Sequence, residues 1–158
     1  MKQHTYTLEM LWKGNKGEGT KTYRGYARDH VILAAGKPEI AASSDPAFRG
    51  DSRRYNPEEL LVAALSSCHM LAYLHLCTVN QVVVEEYQDS PVGLMEETAD
   101  GSGHFTSATL RPVVKISAGD AKKAHELHHE AHKLCFIANS VKFPVGCQAK
   151  IESTQSIP

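Results

Sequence analysis

The sequence lacks an excess of charge of either sign. Its 158 residues carry 17 Lys and Arg against 18 Asp and Glu, which gives a formal net charge of −1. A chain this balanced has no electrostatic footprint for nucleic acid or for an anionic membrane surface, so we expect neither as a partner. The first residues, Met1 to Thr7, lack an apolar stretch and a small-residue cleavage site. This absence predicts a cytoplasmic protein.

Internal repeats, low-complexity segments and the alternating strand and helix pattern of a dinucleotide-binding fold are also missing. The length suits one domain, which we predict over residues 1–158, and we assign it no cofactor and no resident metal. One apolar run, Leu60 to Val79, is as long as a bilayer helix. His69 and His75 within it favour instead a helix buried in protein, at a domain centre or a subunit interface.

The start of this apolar helix is strongly specified. Asn56 is a good N-cap, Pro57 suits the first helical position, and Glu59 can close a capping box. We therefore predict a helix from Pro57 to about Thr78.

The remaining elements follow from alternating and periodic apolar patterns. Strands are predicted at 4–13 and 20–29 as a hairpin across a Gly and Asn cluster, and then at 31–34, 39–42, 81–87, 105–117 and 147–153. The acidic, Gly-containing connection between the strands at 81–87 and 105–117 is predicted to be a long hairpin or loop, and a second helix is predicted at 121–139. The order predicts an α+β fold with antiparallel sheets.

The chain has four cysteines, and their setting decides what they can do. In the cytosol thiols stay reduced, so a disulfide there is more often transient and catalytic than structural. Cys68 and Cys77 lie nine residues apart on one helix, on opposite faces and about 13 Å apart, so they cannot bridge within one chain. Cys77 and Cys147 are interpreted as small hydrophobic side chains. Apolar burial would silence Cys68, unless neighbouring charge stabilises its thiolate.

The second helix places Cys135 at the border between two stripes. The apolar stripe, expected to face the core, contains Leu127, Ala131, Leu134 and Ala138. The neighbouring stripe contains His125, His128 and His132. These histidines fit either a solvated helix face or, together with Cys135, a set of metal ligands.

Two segments together carry a resemblance to a known family. Asn56 to Leu60 is followed by Cys68 ten residues after Glu58, and Ala131 to Cys135 forms a late helical segment. With these segments the chain resembles the OsmC/Ohr family of thiol peroxidases. The resemblance implies an intertwined α+β homodimer in which antiparallel sheets pack around a long buried central helix.

The resemblance also implies an activity and its residues. Cys68 would be the peroxidatic cysteine that reduces organic hydroperoxides to alcohols, and Cys135 the resolving cysteine that forms a disulfide with it. An external thiol or dithiol would recycle this disulfide. Glu58 matches the family's active-site glutamate and Arg49 is the best match for its arginine. The competing arginines are Arg24, Arg28, Arg53 and Arg54.

Helix geometry adds an expectation of its own. Ten helical residues separate Glu58 from Cys68 by about 15 Å of axial rise, which is beyond hydrogen-bond range. If both residues serve one centre, Glu58 must come from the partner subunit across a two-fold axis.

Three other classes remain open. The first is a metal-binding or metal-sensing protein that uses His125, His128, His132 and Cys135. The second is a hydrolase or acyl transferase with Cys68 as nucleophile. The third is a redox-inert relative that binds an apolar ligand.

Overall fold

The computed structural model describes residues 1–154 and divides the chain into two compact units, Met1–Leu60 and a second that begins at Leu61. The prediction of one domain over residues 1–158 stays a prediction. The elements confirm the α+β class. They comprise two α-helices, α1 (Pro57–Val79) and α2 (Ala121–Leu134), and nine strands: β1 (Glu9–Trp12), β2 (His30–Leu33), β3 (Ile40–Ala42), β4 (Val83–Gln88), β5 (Val92–Glu97), β6 (Gly103–Leu110), β7 (Val113–Ala118), β8 (Val145–Cys147) and β9 (Lys150–Ser153).

The first unit contains an antiparallel sheet in the order β1-β2-β3. The predicted strand at 20–29 is wrong, because this segment forms turns and β1 pairs instead with β2. The tyrosines responsible for the strand-like pattern stack on a cation: the Arg28 guanidinium lies 4.4 Å from the Tyr23 ring centroid and 4.1 Å from that of Tyr26. Local cation–π packing therefore replaces the alternation of a strand.

The capping box at the start of α1 is confirmed. The Glu59 backbone N–H donates to Asn56 Oδ1 at 2.8 Å, and the Asn56 backbone N–H donates to Glu59 Oε2 at 3.1 Å. These bonds satisfy backbone donors that have no intrahelical partner, which fixes where the helix begins.

The second unit has two mixed sheets, in the orders β4-β7-β9 and β5-β6-β8. β9 runs parallel to β7 and β8 runs parallel to β6, so the expectation of antiparallel sheets is only partly right. Parallel neighbours need a long crossover, and α2 lies within the connection that provides it.

Three strand predictions in this unit need correction. The predicted last strand at 147–153 corresponds to two strands, β8 and β9, which belong to different sheets. The predicted strand at 105–117 is split into β6 and β7 at Arg111 and Pro112, since proline cannot donate to a ladder. The acidic connection contains β5, whose glycine, Gly93, is typical of loops and made the strand hard to recognise in the sequence. A Cβ at Gly93 would lie 2.6 Å from the Phe105 ring and 2.7 Å from the Val62 side chain. The strand therefore needs a glycine at this position, although glycine is uncommon in strand interiors.

One face of α1 is buried, every fourth residue: Leu65, His69, Tyr73 and Cys77. Tyr73 and Cys77 join Leu127 and Ala131 of α2 and apolar residues of β4 and β7 in the core. Other apolar residues of α1 stay exposed, and Leu71 is 62% accessible. By length and composition alone α1 could cross a membrane. Its buried stripe, however, packs on protein.

The turn before α2 depends on a glycine. Gly119 has φ +99°, and a Cβ there would lie 2.8 Å from Val82 Cα, whereas Gly101, with φ +82°, has open space around it. We expect Gly119→Ala to lower the free energy of unfolding by about 3 kcal/mol, because backbone strain and a clash add. The matched control Gly101→Ala bears only strain and should cost about 1 kcal/mol. Urea unfolding of both variants measures the difference, and equal losses would contradict the predicted clash.

Candidate active site

The structure brings the thiols of Cys68 and Cys135 together. Cys68 lies half-buried on α1, and Cys135 directly follows the last residue of α2 with only 1% of its surface accessible. The Cys68 side chain is close enough to act on the ionisation of the Cys135 thiol. All four cysteines are free thiols, so this pair is reduced.

Cys135 differs from its predicted setting in two ways. It caps α2 in an extended conformation, so the predicted helix to residue 139 ends early at Leu134. It is also buried rather than half-exposed. Burial and, secondly, the interaction with the nearby Cys68 thiol raise the pKa of Cys135 to about 11. The Ala138 backbone N–H approaches the Cys135 sulfur at 3.4 Å and acts in the opposite direction by favouring the thiolate.

The predicted apolar stripe of α2 is correct for two of its members. Leu127 and Ala131 are buried, whereas Leu134 is 49% exposed and Ala138 lies beyond the helix. Phe136, which follows Cys135 in the sequence, has an apolar ring that is 78% exposed.

The candidate charged residues lie in the first unit. Glu58 stands in the first turn of α1, and its Oε2 atom is buried without a hydrogen-bond partner among the described residues. Arg49 is exposed in a left-handed conformation, φ 66°, after a short 3-10 turn, and its guanidinium carbon lies 5.7 Å from the Tyr23 ring centroid.

The competing arginines differ in how fully they are paired. Arg53 contacts Asp51 at 2.8 Å, and its hydrogen bond holds the pKa of Asp51 at about 2. Arg54 contacts Asp29 at 3.5 Å. Arg28 donates from Nη1 to the Tyr26 carbonyl, but its Nη2 is buried and has no partner within residues 1–154. Arg28 therefore retains a free hydrogen-bond donor, whereas Arg53 and Arg54 are already paired with carboxylates.

A second cluster, which sequence reasoning missed, comprises His69, His128 and Cys147. His69 Nε2 lies 3.0 Å from His128 Nδ1, and Cys147 Sγ lies 3.8 Å from His69 Nε2. Burial lowers the pKa of His128 to about 3, with His69 and His125 adding to the shift. The predicted His125, His128, His132 and Cys135 ligand set does not form among the described residues, where His128 groups with residues of α1 and β8. Only the tertiary fold could reveal this set, because its members come from three separate elements.

Comparison with known proteins agrees with this architecture. Residues 50–150 match the family described as OsmC-like protein. An OsmC-like protein of unknown function from Vibrio cholerae is 33% identical, with a TM-score of 0.83 over 93% of this chain and 99% of that one. The uncharacterized protein YmaD of Bacillus subtilis is 23% identical over 94% of this chain and 93% of its own length.

A third similarity concerns the fold alone. A putative organic hydroperoxide resistance protein from Vibrio cholerae, solved with captopril in one active site, is 20% identical. Its TM-score is 0.65 over 94% of this chain and 93% of that one. The family match spans well over half of the sequence, and the 33% identical relative spans nearly all of it. The chain therefore belongs to the OsmC-like protein family.

Proposed function

We propose that this protein is a cytoplasmic thiol peroxidase that reduces organic hydroperoxides through Cys68 and Cys135. The observation that carries the proposal is the proximity of these two thiols, since Cys68 on α1 acts on the ionisation of Cys135 at the end of α2. OsmC/Ohr relatives are hydroperoxide-related redox proteins, which supports the same chemistry. This proximity also favours the proposal over a hydrolase, because a second thiol near a nucleophile serves disulfide formation.

The proposed reaction has three steps. The Cys68 thiolate attacks the hydroperoxide oxygen, an S–O bond forms, the O–O bond breaks, and the alkoxide takes a proton and leaves as alcohol. The Cys135 thiolate then attacks the Cys68 sulfenic acid, forms the disulfide and releases water. A thiol or dithiol reductant supplies two electrons and restores both thiols.

The apolar surroundings support an organic substrate. Phe136 is exposed next to Cys135 in sequence, and Leu71 is exposed three residues beyond Cys68 on α1. These side chains suit an alkyl or lipid hydroperoxide better than hydrogen peroxide. A faster reaction with hydrogen peroxide than with cumene hydroperoxide would argue against this substrate class.

The direct test treats the reduced protein with sub-stoichiometric cumene hydroperoxide and maps disulfides by mass spectrometry. We expect a Cys68–Cys135 link together with an equivalent amount of alcohol. A link between Cys135 and Cys147, or thiols that stay reduced while the peroxide persists, would refute the mechanism.

We further propose an intertwined homodimer with α1 at its centre. Much of β1 is apolar yet exposed: Met10 is 59% accessible, Leu11 42% and Trp12 44%. On α1, Leu71 and Val79 are exposed as well, at 62% and 60%. Apolar side chains exposed in this number favour a covering partner. A second copy of the chain would cover both surfaces.

In this dimer Glu58 and an arginine would serve the Cys68 of the partner, since one straight helix holds Glu58 about 15 Å from its own Cys68. The guanidinium would stabilise the thiolate and the carboxylate would orient it. Arg49 is our candidate, and Arg28, with its unpaired buried Nη2, is the competitor. Lysine substitutions of each, compared by kcat/KM, identify the working residue as the one with the larger loss.

Subunit complementation tests the arrangement across the dimer. Cys68→Ser and Glu58→Gln homodimers are each expected to be nearly inactive. A heterodimer of the two contains one site with both native residues if Glu58 acts in trans, and none if it acts in cis. We expect activity to return on subunit exchange. No recovery despite heterodimers seen by native mass spectrometry would contradict the trans site.

The rate of disulfide closure should depend on pH. Only the Cys135 thiolate attacks, and its pKa of about 11 lies above the working range. The thiolate fraction, and with it closure, should therefore rise about tenfold per unit between about pH 7 and 9. Dimedone added with the peroxide competes for the sulfenic acid, so the disulfide-to-adduct ratio measures closure. A ratio independent of pH would contradict the raised pKa.

A further inference from the structure

His69, His128 and Cys147 form a group with the composition and spacing of a transition-metal site. One possible ligand atom from each residue lies within 4.8 Å of those of the other two. In a tetrahedral zinc site with Zn–N near 2.05 Å and Zn–S near 2.3 Å, two nitrogens lie about 3.3 Å apart and a nitrogen and a sulfur about 3.6 Å. The observed separations from His69 Nε2 are 3.0 Å to His128 Nδ1 and 3.8 Å to Cys147 Sγ.

Three different elements hold these side chains in place. His69 lies in the buried stripe of α1 and is 1% accessible, and His128 on α2 is 3% accessible. The His128 ring stacks on Tyr73 with centroids 3.8 Å apart, and Tyr73 in turn donates to the Ala124 carbonyl at 3.0 Å. Cys147 is fixed at the end of β8 by pairing with Leu110. Ligands so constrained need little reordering to bind a metal ion.

The histidine pair is not satisfied by its own hydrogen bond. His128 Nε2 is buried and has no hydrogen-bond partner among the described residues. Whichever imidazole donates to the other, one nitrogen of His128 therefore remains unpaired, which is unfavourable for a buried polar atom. Coordination of a metal through His128 Nδ1, the atom nearest His69 Nε2, would replace the hydrogen bond between the rings and fix the imidazole proton on Nε2.

The surroundings favour a cation and give it access. The Asp89 carboxylate acts electrostatically on both His69 and Cys147, and its oxygens are held by the Ser66 hydroxyl at 2.6 Å and the Arg111 backbone N–H at 2.7 Å. A cavity of about 390 Å³ borders the cluster, and its lining includes His128, Cys147 and half-buried His132. A metal ion and a fourth ligand, such as water, can therefore reach the group.

We propose that His69, His128 and Cys147 bind one divalent transition-metal ion of the zinc type, with the fourth coordination position facing the cavity. Two imidazoles and one thiolate select such borderline ions over Mg²⁺ or Ca²⁺, which require oxygen ligands. On binding, the Cys147 thiol forms the metal–sulfur bond and releases its proton to solvent. The site is distinct from the thiol pair, because His69 and Cys68 diverge by 100° on α1.

Cobalt binding to the full-length protein tests the site. Metal-free, fully reduced wild-type protein is titrated with Co²⁺, and we expect saturation at one ion per chain with a thiolate-to-cobalt charge-transfer band that Zn²⁺ abolishes. Cys147→Ser should remove the band and weaken binding at least tenfold, because loss of even an outer-shell partner of a ligand typically weakens metal binding about 10- to 100-fold. Cys68→Ser is the matched control and should keep both.

The outcomes separate this site from the peroxidase proposal. At one Zn²⁺ concentration the Tm of the wild type and of Cys68→Ser should rise by more than that of Cys147→Ser, which reports binding without any activity assay. Absence of a charge-transfer band in the wild type would overturn the proposal. So would a band that survives Cys147→Ser and disappears in Cys68→Ser.

Discussion

Replacing Cys68 by serine should abolish hydroperoxide reduction. A serine hydroxyl forms no nucleophilic anion at neutral pH and cannot be oxidised to a sulfenic acid, so the first chemical step is lost. We expect kcat/KM for cumene hydroperoxide to fall on the order of a thousandfold or more, as for other enzymes deprived of their nucleophile. Peroxide consumption coupled to a dithiol reductant measures the effect.

The matched control is Cys77→Ala on the same helix. Cys77 is 2% accessible and belongs to the core with Tyr73 and Leu127, away from the Cys68 and Cys135 pair. Removing its sulfur should cost some stability and leave the rate per folded molecule unchanged. Retention of most activity in Cys68→Ser, or equal losses in both variants, would show that Cys68 is not the nucleophile.

Cys135→Ser should separate the two halves of the cycle. The first turnover survives because Cys68 is intact, but its sulfenic acid has no partner thiol and persists. We expect stoichiometric dimedone labelling of Cys68, no intramolecular disulfide, and steady-state turnover with a dithiol at least about tenfold lower. Excess peroxide should carry Cys68 on to the irreversible sulfinic acid.

Mass spectrometry after a single addition of peroxide checks each of these states. The wild type provides the reference, with a Cys68–Cys135 disulfide and little dimedone adduct. Unchanged turnover in Cys135→Ser, or a disulfide from Cys68 to a different cysteine in the wild type, would assign the resolving role elsewhere.

The proposed metal site and the thiol pair each have one residue on α1, and these residues, His69 and Cys68, are neighbours in the sequence. Bound metal should therefore affect which thiols peroxide can oxidise. A zinc ion at His69 would hold the Cys147 sulfur as a thiolate in coordination, and so keep it out of disulfide exchange. Peroxide oxidation of metal-free protein would then leave one more reactive thiol than oxidation of the metal-bound form. Disulfide maps should therefore be compared with and without bound metal.

How much the sequence could predict depends on the range of the interactions involved. The start of α1 was predictable because its capping box joins Asn56 and Glu59, three residues apart, and the structure contains both hydrogen bonds. The structure of residues 20–29 was not predictable in this way: a strand was expected, but the Tyr23 and Tyr26 rings stack on Arg28 instead of alternating between two faces. β5 was missed for a similar reason, since the need for Gly93 arises from Val62 and Phe105.

The candidate site shows the same division. Spacing and resemblance were enough to select Cys68 and Cys135 as a pair, but not to show that Cys135 ends its helix and is buried. The histidine pattern of α2 fitted either a solvated face or a ligand set of His125, His128, His132 and Cys135, and this ligand set does not form among the described residues. His128 turns inward to His69, whereas His125 is exposed, so the helix periodicity alone could not distinguish them.

By itself the sequence determined the α+β class, the first turn of α1 and the near balance of charge, and it selected Cys68 and Cys135 as candidates for redox chemistry. These features rest on local pattern, composition and a family resemblance. Only the tertiary structure decided that Cys68 and Cys135 lie near one another, that β8 and β9 run parallel to their neighbours, and that His69, His128 and Cys147 meet. Contacts between distant segments depend on how helices and sheets pack, which no local pattern encodes.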